Sequence, residues 1–181
     1  MDTYKLKFTR LQSEIFRLLC IKVGEKINQR QSAAFLKVSP TAVAKAIRLL
    51  EKENLIKIHV DKRINLTQIE LNRDRPHTLE LKRAENLKFI IESGLSDFLE
   101  ESFPGCTIIL FGSYSRGEDT IKSDIDIAVI GSKQKNIDFS VFEKKLEREI
   151  IPQFYNSLKE VNKELRENIL NGIVLAGNIE L

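Results

Sequence analysis

The stretch that decides the fold of this chain is Gly112–Ile130, which reads GSYSRGEDTIKSDIDIAVI. It follows an apolar, β-branched run at Cys106–Phe111, which predicts a buried strand, and Ser123–Ile130 predicts a second strand. Alternation along the second strand places Asp124 and Asp126 on one face. Adjacent carboxylates repel one another and are costly to desolvate unless a cation lies between them. The pattern therefore predicts a cation site at the head of a buried strand.

The turn between these two strands predicts a phosphate site. Gly112 permits a tight turn in which the backbone approaches a ligand closely, and Ser113 supplies a hydroxyl at the start of a short helix. The free N–H groups and the positive dipole end of a helix N-terminus both favour a bound phosphate. Arg116 adds a positive charge one turn later. Asp124 and Asp126 offer hard oxygen ligands of the kind that Mg²⁺ shares with substrate phosphates.

Gly-Ser, the ten residues 114–123 and Asp-x-Asp together resemble the minimal nucleotidyltransferases of the DNA polymerase β superfamily, and the resemblance covers about residues 80–178. It implies an α/β domain with a small mixed sheet, one or two Mg²⁺ ions and a nucleoside triphosphate, with ATP the expected nucleotide. The residues that the family motif implies for nucleotide binding are Gly112, Ser113, Arg116 and Ser123, and those that it implies for metal binding and catalysis are Asp124 and Asp126.

The family pattern also has a third carboxylate on a later strand, and this sequence departs from it. The third strand is predicted at Glu149–Tyr155, where no Asp occurs and Gln153 takes the expected place. An amide can orient a ligand, but it carries no negative charge and takes no proton at neutral pH. Glu149 lies on the same strand face nearer the start of the strand, and it could substitute only if the register shifts. The sequence leaves open whether catalysis survives.

The first part of the chain carries the opposite charge balance from the second. Residues 1–75 contain 16 Lys and Arg against 8 Asp and Glu, a net charge of +8, whereas residues 76–181 have a net charge of −5. A basic half indicates either a polyanion partner or a solvated basic surface. The polar stretch Asn72–Thr78 contains Pro76 and separates the two charge regimes. It predicts two domains, residues 1–75 and residues 76–181.

Three helices and a hairpin are predicted in the first domain. Helical spacing predicts two helices within residues 9–37 and a third that begins with Ser39 as N-cap and Pro40 at its first position. After Asn54 the period of the apolar residues changes to two, which predicts a β-hairpin with a polar, basic turn at Asp61–Arg63.

This arrangement, over about residues 8–72, resembles a winged helix-turn-helix. In that family the third helix lies in the DNA major groove and the hairpin contacts the backbone or the minor groove. The residues that the resemblance places against double-stranded DNA are Thr41, Lys45, Arg48, Lys62 and Arg63. Winged helices also serve as protein-interaction modules, so this alternative stays open. A homodimer is expected because winged helices usually read two half-sites.

Composition excludes several other classes of protein. No stretch approaches the roughly 20 consecutive apolar residues of a membrane span, and the N-terminus lacks the apolar block of a signal peptide. We therefore expect a cytoplasmic protein with no membrane partner. Cys20 and Cys106 each lie in an apolar segment, which favours reduced core residues over a disulfide or a metal site.

Two functions fit the combined pattern. The first is a DNA-binding regulator, of the transcriptional or antitoxin type, whose nucleotidyltransferase-like domain has weak or lost catalysis. The second is an active nucleotidyltransferase that transfers NMP from NTP to a hydroxyl of a toxin or another acceptor. The antitoxin interpretation comes from the resemblance alone. The missing Asp on the third strand favours the regulator.

Overall fold

The chain divides into two units, residues 1–79 and residues 80–181, and the computed structural model describes residues 7–179. The sequence places the boundary after residue 75, and the structure places it after residue 79. The difference arises because Pro76, interpreted from the sequence as part of a linker, is the first residue of a helix that continues to Ser93. Proline is tolerated in the first turn of a helix because an N–H there has no partner within the helix.

Over its described residues, the first unit contains three helices and a small antiparallel sheet. The helices are α1 (Arg10–Ile21), α2 (Gln29–Leu36) and α3 (Pro40–Lys52), and the strands are β1 (Ile27–Asn28), β2 (Ile56–Asp61) and β3 (Leu66–Leu71). β2 and β3 form the predicted hairpin, and β1 pairs with the other edge of β3. Nothing in the sequence predicts β1, because two residues are too few to show a period.

Capping hydrogen bonds mark the starts of α2 and α3, and the cap of α3 confirms the start predicted from Ser39 and Pro40. The Asn28 side chain accepts a hydrogen bond from the N–H of Gln31 at 2.8 Å, and the Ser39 hydroxyl accepts one from the N–H of Ala42 at 3.2 Å. Pro40 follows at the first helical position. The buried side chains of α3 are Val43, Ala46, Ile47 and Leu50, as the helical spacing predicts. The first unit therefore has the predicted winged helix-turn-helix fold.

The second unit is an α/β domain with a mixed sheet, as predicted. Its described helices are α4 (Pro76–Ser93, most of which lies in this unit), α5 (Leu95–Ser102), α6 (Gly112–Arg116), α7 (Ser140–Leu146) and α8 (Lys163–Leu170), with a 3₁₀ turn at Leu158–Glu160. Its described strands are β4 (Thr107–Phe111), β5 (Ile125–Ile130), β6 (Ile150–Tyr155) and β7 (Ile173–Ala176). The strand order is β6-β5-β4-β7, in which β5 and β6 run parallel and the other pairs run antiparallel.

The inner strands β4 and β5 are buried on both faces. Ile108 and Ile127 are fully buried on one face. On the other face a cluster forms from Ile109, Phe111, Ala128, Leu158, Val161 and Ile169. Since strands buried on both faces are held firmly by packing, the α6 connection between them is fixed at both of its ends.

The described helices are all too short or too polar to cross a membrane. Both cysteines are free thiols, with Cys20 buried and Cys106 half-buried. Their state agrees with the predicted reduced residues.

Candidate functional site

Gly112 lies directly against the carboxylate of Asp126. Phe111, the last residue of β4, is the Cα partner of Asp126, and Gly112 then turns the chain with a φ of +74°. A Cβ at position 112 would overlap with Oδ2 of Asp126. Both the left-handed backbone and the close approach therefore require glycine here. The structure thus brings together the Gly-Ser turn and the Asp-x-Asp strand, as the sequence predicts.

The two carboxylates of Asp-x-Asp form a coupled pair. Asp124 is exposed and immediately precedes β5, whereas Asp126 is half-buried within it. Burial raises the pKa of Asp126 above its ordinary value, and the charge of Asp124 raises it further. The Arg116 guanidinium acts in the opposite direction and lowers the pKa of Asp126. A cation between the two carboxylates would relieve this repulsion, so the donor set fits a hard divalent ion.

The two carboxylates of Asp124 and Asp126 are few ligands for a metal ion. Among residues 7–179, no three His, Cys, Asp or Glu side chains are grouped in a way that could hold a metal ion. Mg²⁺ is commonly bound through one or two carboxylates and completes its shell with waters and substrate phosphates. Asp124 and Asp126 therefore fit Mg²⁺ as a partial ligand set that a nucleotide would complete.

The other residues predicted for nucleotide binding contact neighbouring protein groups. Arg116 is exposed, and it donates hydrogen bonds to the carboxylate of Glu118 at 2.8 Å and to Oδ1 of Asn168 at 2.9 Å. The Ser123 hydroxyl accepts a hydrogen bond from the N–H of Thr120 at 2.9 Å and closes a turn just before Asp124. Ser113 lies half-buried at the start of α6. Arg116 acts electrostatically on Asp126, Ser123 directly precedes Asp124, and Ser113 follows Gly112, but the nucleotide role of these three residues stays a prediction.

The register of β6 corrects the sequence-based position of the third carboxylate. Asp126 is the Cα partner of Ile151 on the parallel strand, and Gln153 is the partner of Ala128, two residues farther along. Oε1 of Gln153 accepts a hydrogen bond from the hydroxyl of Tyr155 at 2.8 Å. Gln153 therefore lies level with the apolar cluster instead of the Asp pair. The residue that stands beside Asp126 is Ile151, which cannot bind a metal.

Glu149 lies closer to the Asp pair than the sequence alone indicates. Its carbonyl oxygen accepts a hydrogen bond from the N–H of Ile125 at 2.8 Å, so it stands level with Asp124 in the observed register. Its exposed side chain lines an open cavity that Asp124 and Arg148 also line. No register shift is needed to place Glu149 next to Asp124.

Four buried polar residues behind the site were not predicted from the sequence. They are Lys82, Asn86, Asp119 and Arg148. A signal was present in α4, because Lys82 and Asn86 fall on the same helical stripe as Leu79 and Ile90, the side that packs inward. Polar residues on such a stripe indicate buried hydrogen-bonding partners elsewhere in the chain.

The residues predicted to face DNA are all exposed. Thr41, Lys45 and Arg48 lie on the side of α3 opposite its buried stripe, and Lys62 and Arg63 lie in the turn between β2 and β3. Arg30, at the start of α2, is also exposed and was not predicted. It lines an open cavity together with Pro40 of α3 and Asn65 of the hairpin turn. The first unit thus presents a basic surface formed by α2, α3 and the hairpin turn.

Among solved structures, the chain is similar to a variant of ZitR from Lactococcus lactis, with 22% identity and a TM-score of 0.41 over 55% of this chain and 64% of that one. The adhesin competence repressor AdcR from Streptococcus pyogenes matches at 21% identity and a TM-score of 0.42, over 56% of this chain and 72% of AdcR. MepR from S. aureus, in a complex with DNA, matches at 19% identity and a TM-score of 0.38, over 52% of this chain and 81% of MepR. This chain thus spans less than two thirds of the length of ZitR.

No curated protein matches the chain. Residues 92–176, which contain α5 and every element from β4 to β7, match a family model described as the nucleotidyltransferase domain. The Gly-Ser turn and both carboxylates of Asp-x-Asp lie within the matched residues. The candidate site therefore belongs to a stretch of the chain that is similar to a nucleotidyltransferase domain.

Proposed function

We propose that this protein is a DNA-binding regulator whose second unit binds a nucleoside triphosphate with Mg²⁺ and turns it over weakly or not at all. The observation that carries the proposal is the composition of the site. Gly112 lies against Asp126 and Asp124 lies beside them, but Ile151 stands where the neighbouring strand could offer a third carboxylate. Loss of one charge-stabilising group from such a site costs on the order of several kcal/mol of transition-state stabilisation. Nucleotide binding does not require stabilisation of the transition state, so it can persist without the third carboxylate.

Each group of the site has a separate role in binding. The backbone at Gly112–Ser113 approaches the nucleotide phosphates, and the absence of a Cβ at Gly112 leaves room for the Asp126 carboxylate directly beside it. Asp124 and Asp126 hold one or two Mg²⁺ ions, and ATP is the expected nucleotide. Bound Mg²⁺ supplies positive charge that neutralises the phosphates. Arg116 adds a further positive charge within electrostatic reach of Asp126.

The first unit is proposed to bind double-stranded DNA. Its support is the exposed basic surface on α3 and in the hairpin turn, at the places where a winged helix contacts DNA. The scarcity of exposed aromatic side chains on α3 favours duplex DNA over single strands. We expect a cytoplasmic homodimer that controls transcription, including the antitoxin type in which a toxin is the second partner.

A second candidate function is an active nucleotidyltransferase that transfers NMP to a hydroxyl of a protein or another acceptor. The observation that favours it is the position of Glu149, which lies level with Asp124 and lines the same open cavity. A carboxylate at this place could take the proton of an acceptor hydroxyl as a general base. In the enzyme, the Glu149 side chain would reach the metal or the acceptor hydroxyl, whereas in the regulator it would reach neither.

Labelled nucleotides separate the two functions. Purified protein is incubated with Mg²⁺ and each α-labelled NTP, with and without lysate from its source, beside an Asp124→Ala, Asp126→Ala variant. Calorimetry with the same nucleotides measures binding. We expect wild type to bind ATP with Mg²⁺, the double variant to lose that binding, and neither protein to transfer label.

Two other outcomes contradict this proposal. Label transferred by wild type and not by the double variant would establish an active enzyme, and a Glu149→Gln variant would then test the third ligand. Failure of wild type to bind any NTP would remove the nucleotide from the proposal altogether.

A further inference from the structure

A buried ionic network lies behind the candidate site. Lys82 of α4 is 0% exposed, and its ammonium contacts the carboxylate of Asp119, which is 1% exposed. Asn86, one turn along α4, donates from Nδ2 to the same carboxylate at 2.7 Å and to the carbonyl oxygen of Tyr114 at 2.8 Å. Arg148 is 5% exposed and approaches the other carboxylate oxygen at 3.5 Å. One carboxylate thus joins several separate segments of the second unit.

Apart from α4, the segments that this network joins adjoin the candidate site. Tyr114 lies in α6, the short helix of the Gly-Ser turn. Arg148 directly precedes Glu149, whose carbonyl oxygen bonds to the N–H of Ile125 at the start of β5. Asp119 itself lies in the loop between α6 and β5. The network therefore connects the stretch of chain that leads into Asp-x-Asp to α4 and to the segment before β6.

The loop of residues 117–124 is anchored to the interior through Asp119. The N–H of Thr120 donates a hydrogen bond to the hydroxyl of Ser123 at 2.9 Å, and the N–H of Ser123 donates one to the carbonyl oxygen of Thr120 at 3.0 Å. These two hydrogen bonds close the turn. The N–H of Glu118 bonds back to the carbonyl oxygen of Ser113 at 3.0 Å. Within residues 118–124, Asp119 is the only buried side chain, and the others are half-buried or exposed.

Buried ion pairs are weak evidence for stability. Taking charges out of water is costly, and replacing a buried pair by apolar residues of similar size often leaves a protein equally stable. A buried network of hydrogen bonds and ion pairs instead favours a unique arrangement of the segments that it joins. Here Oδ1 of Asp119 accepts hydrogen bonds from Lys82 and Asn86, whereas Oδ2 has the ion pair with Arg148 but no hydrogen bond. In this chain those segments carry the candidate nucleotide site.

We propose that Asp119 is a positioning residue, which holds the loop that carries Ser123 and Asp124 so that the nucleotide site is formed before the nucleotide arrives. Preorganisation of this kind increases affinity because the loop need not be ordered at binding. The inference rests on the proposed function, since the nucleotide is what the preformed site receives.

The Lys82→Met variant tests this role. It removes the buried cation of α4, while Asp119 keeps Arg148 as its counter-charge, so the buried carboxylate is not left without a cation. Hydrogen–deuterium exchange is measured on the amides of residues 118–125, and calorimetry measures the affinity for ATP with Mg²⁺. We expect the loop amides to exchange about tenfold faster or more, with exchange in β4 unchanged. We expect the affinity for ATP to fall about tenfold.

The matched control is Lys88→Met on the same helix. Lys88 is 55% exposed and lies 3.7 Å from Glu92 in a surface ion pair. Such pairs contribute little, so the control should change neither the loop exchange nor the affinity for ATP. Should Lys82→Met fail to fold, Asn86→Ala removes a neutral contact to the same carboxylate and carries the same expectation.

The outcomes separate the positioning role from the proposed function. Unchanged loop exchange in a folded Lys82→Met protein would overturn the positioning role. A faster-exchanging loop with wild-type affinity for ATP would overturn it as well, because the site would then not depend on the network. If wild type binds no NTP, the proposed function fails instead, and the loop exchange alone decides whether Asp119 positions the loop.

Discussion

The substitution Ile151→Asp would place a carboxylate beside Asp126. The two positions are Cα partners on parallel strands, which lie about 4.8 Å apart. Both side chains belong to the sheet face that also carries Asp124. We expect the variant to gain NMP transfer of about 10²-fold or more over wild type, which is the factor that one preorganised charge-stabilising group typically contributes.

Without metal this substitution should destabilise the fold. Ile151 is half-buried, so the variant loses part of the roughly 1.5–3 kcal/mol that full burial of such a side chain contributes. A carboxylate about 5 Å from Asp126 adds up to about 3 kcal/mol of repulsion at an effective dielectric constant of about 20. Bound Mg²⁺ should offset this cost, since a ligand at about 100 times its Kd stabilises by about 2.7 kcal/mol. Thermal unfolding with EDTA and with Mg²⁺ measures both effects.

Gln153→Asp is the matched control for this prediction. It adds the same charge to the same strand face, but position 153 is the partner of Ala128 and lies about 7 Å farther along the strand. We expect no gain of label transfer and no added stabilisation by Mg²⁺. Equal behaviour of the two variants would refute the assignment of position 151. A wild type that already transfers label as fast as Ile151→Asp would show that Glu149 completes the site.

Two further predictions test the Gly-Ser turn and the DNA surface. Gly112→Ala should lower the free energy of unfolding by about 1–3 kcal/mol more than Gly105→Ala, and it should abolish binding of ATP with Mg²⁺. Both glycines have positive φ, +74° for Gly112 and +77° for Gly105. An added Cβ would overlap Asp126 at position 112, but it would meet nothing within 4 Å at position 105. The difference between the two variants in denaturant unfolding therefore measures the cost of the overlap with Asp126. Lys45→Ala should weaken binding to a random-sequence duplex and reduce the slope of log K against log salt by about one, if Lys45 contacts one phosphate. Lys133→Ala, an exposed lysine of the second unit, should leave that slope unchanged, and an unchanged slope for Lys45→Ala would remove it from the interface.

Local sequence signals predict the elements around the site well. The run at Cys106–Phe111 predicts a strand that the structure places at Thr107–Phe111, and Ser39-Pro40 predicts the start of α3. Both signals come from neighbouring residues, since capping and β-branched runs act within a few positions. The contact between Gly112 and Asp126 is also predicted, because β4 and β5 are consecutive strands, separated only by α6 and the loop of residues 117–124.

Features that depend on distant pairing could not be predicted in the same way. The place of Gln153 relative to Asp126 depends on the register of two parallel strands, and α7 and a long loop separate these strands. A shift of two residues along β6 keeps the same face towards the site, so the alternation pattern cannot distinguish position 151 from position 153. The contact between Lys82 and Asp119 likewise joins residues 37 positions apart.

If the proposed function holds, the side chains in and just before β6 explain how nucleotide binding would separate from turnover in this fold. Glu149, level with Asp124, is exposed and lines an open cavity. Ile151, level with Asp126, offers the half-buried carboxylate of Asp126 no acidic partner on the neighbouring strand. Mg²⁺ can complete its shell with waters and phosphate oxygens, but these do not take the proton of an acceptor as a positioned carboxylate does. Binding therefore requires only residues that already lie together in the site. Turnover also requires a base, and Glu149, which directly precedes β6 and lies level with Asp124, is the candidate for it. The proposed regulator and the alternative enzyme therefore differ by the reach of one side chain.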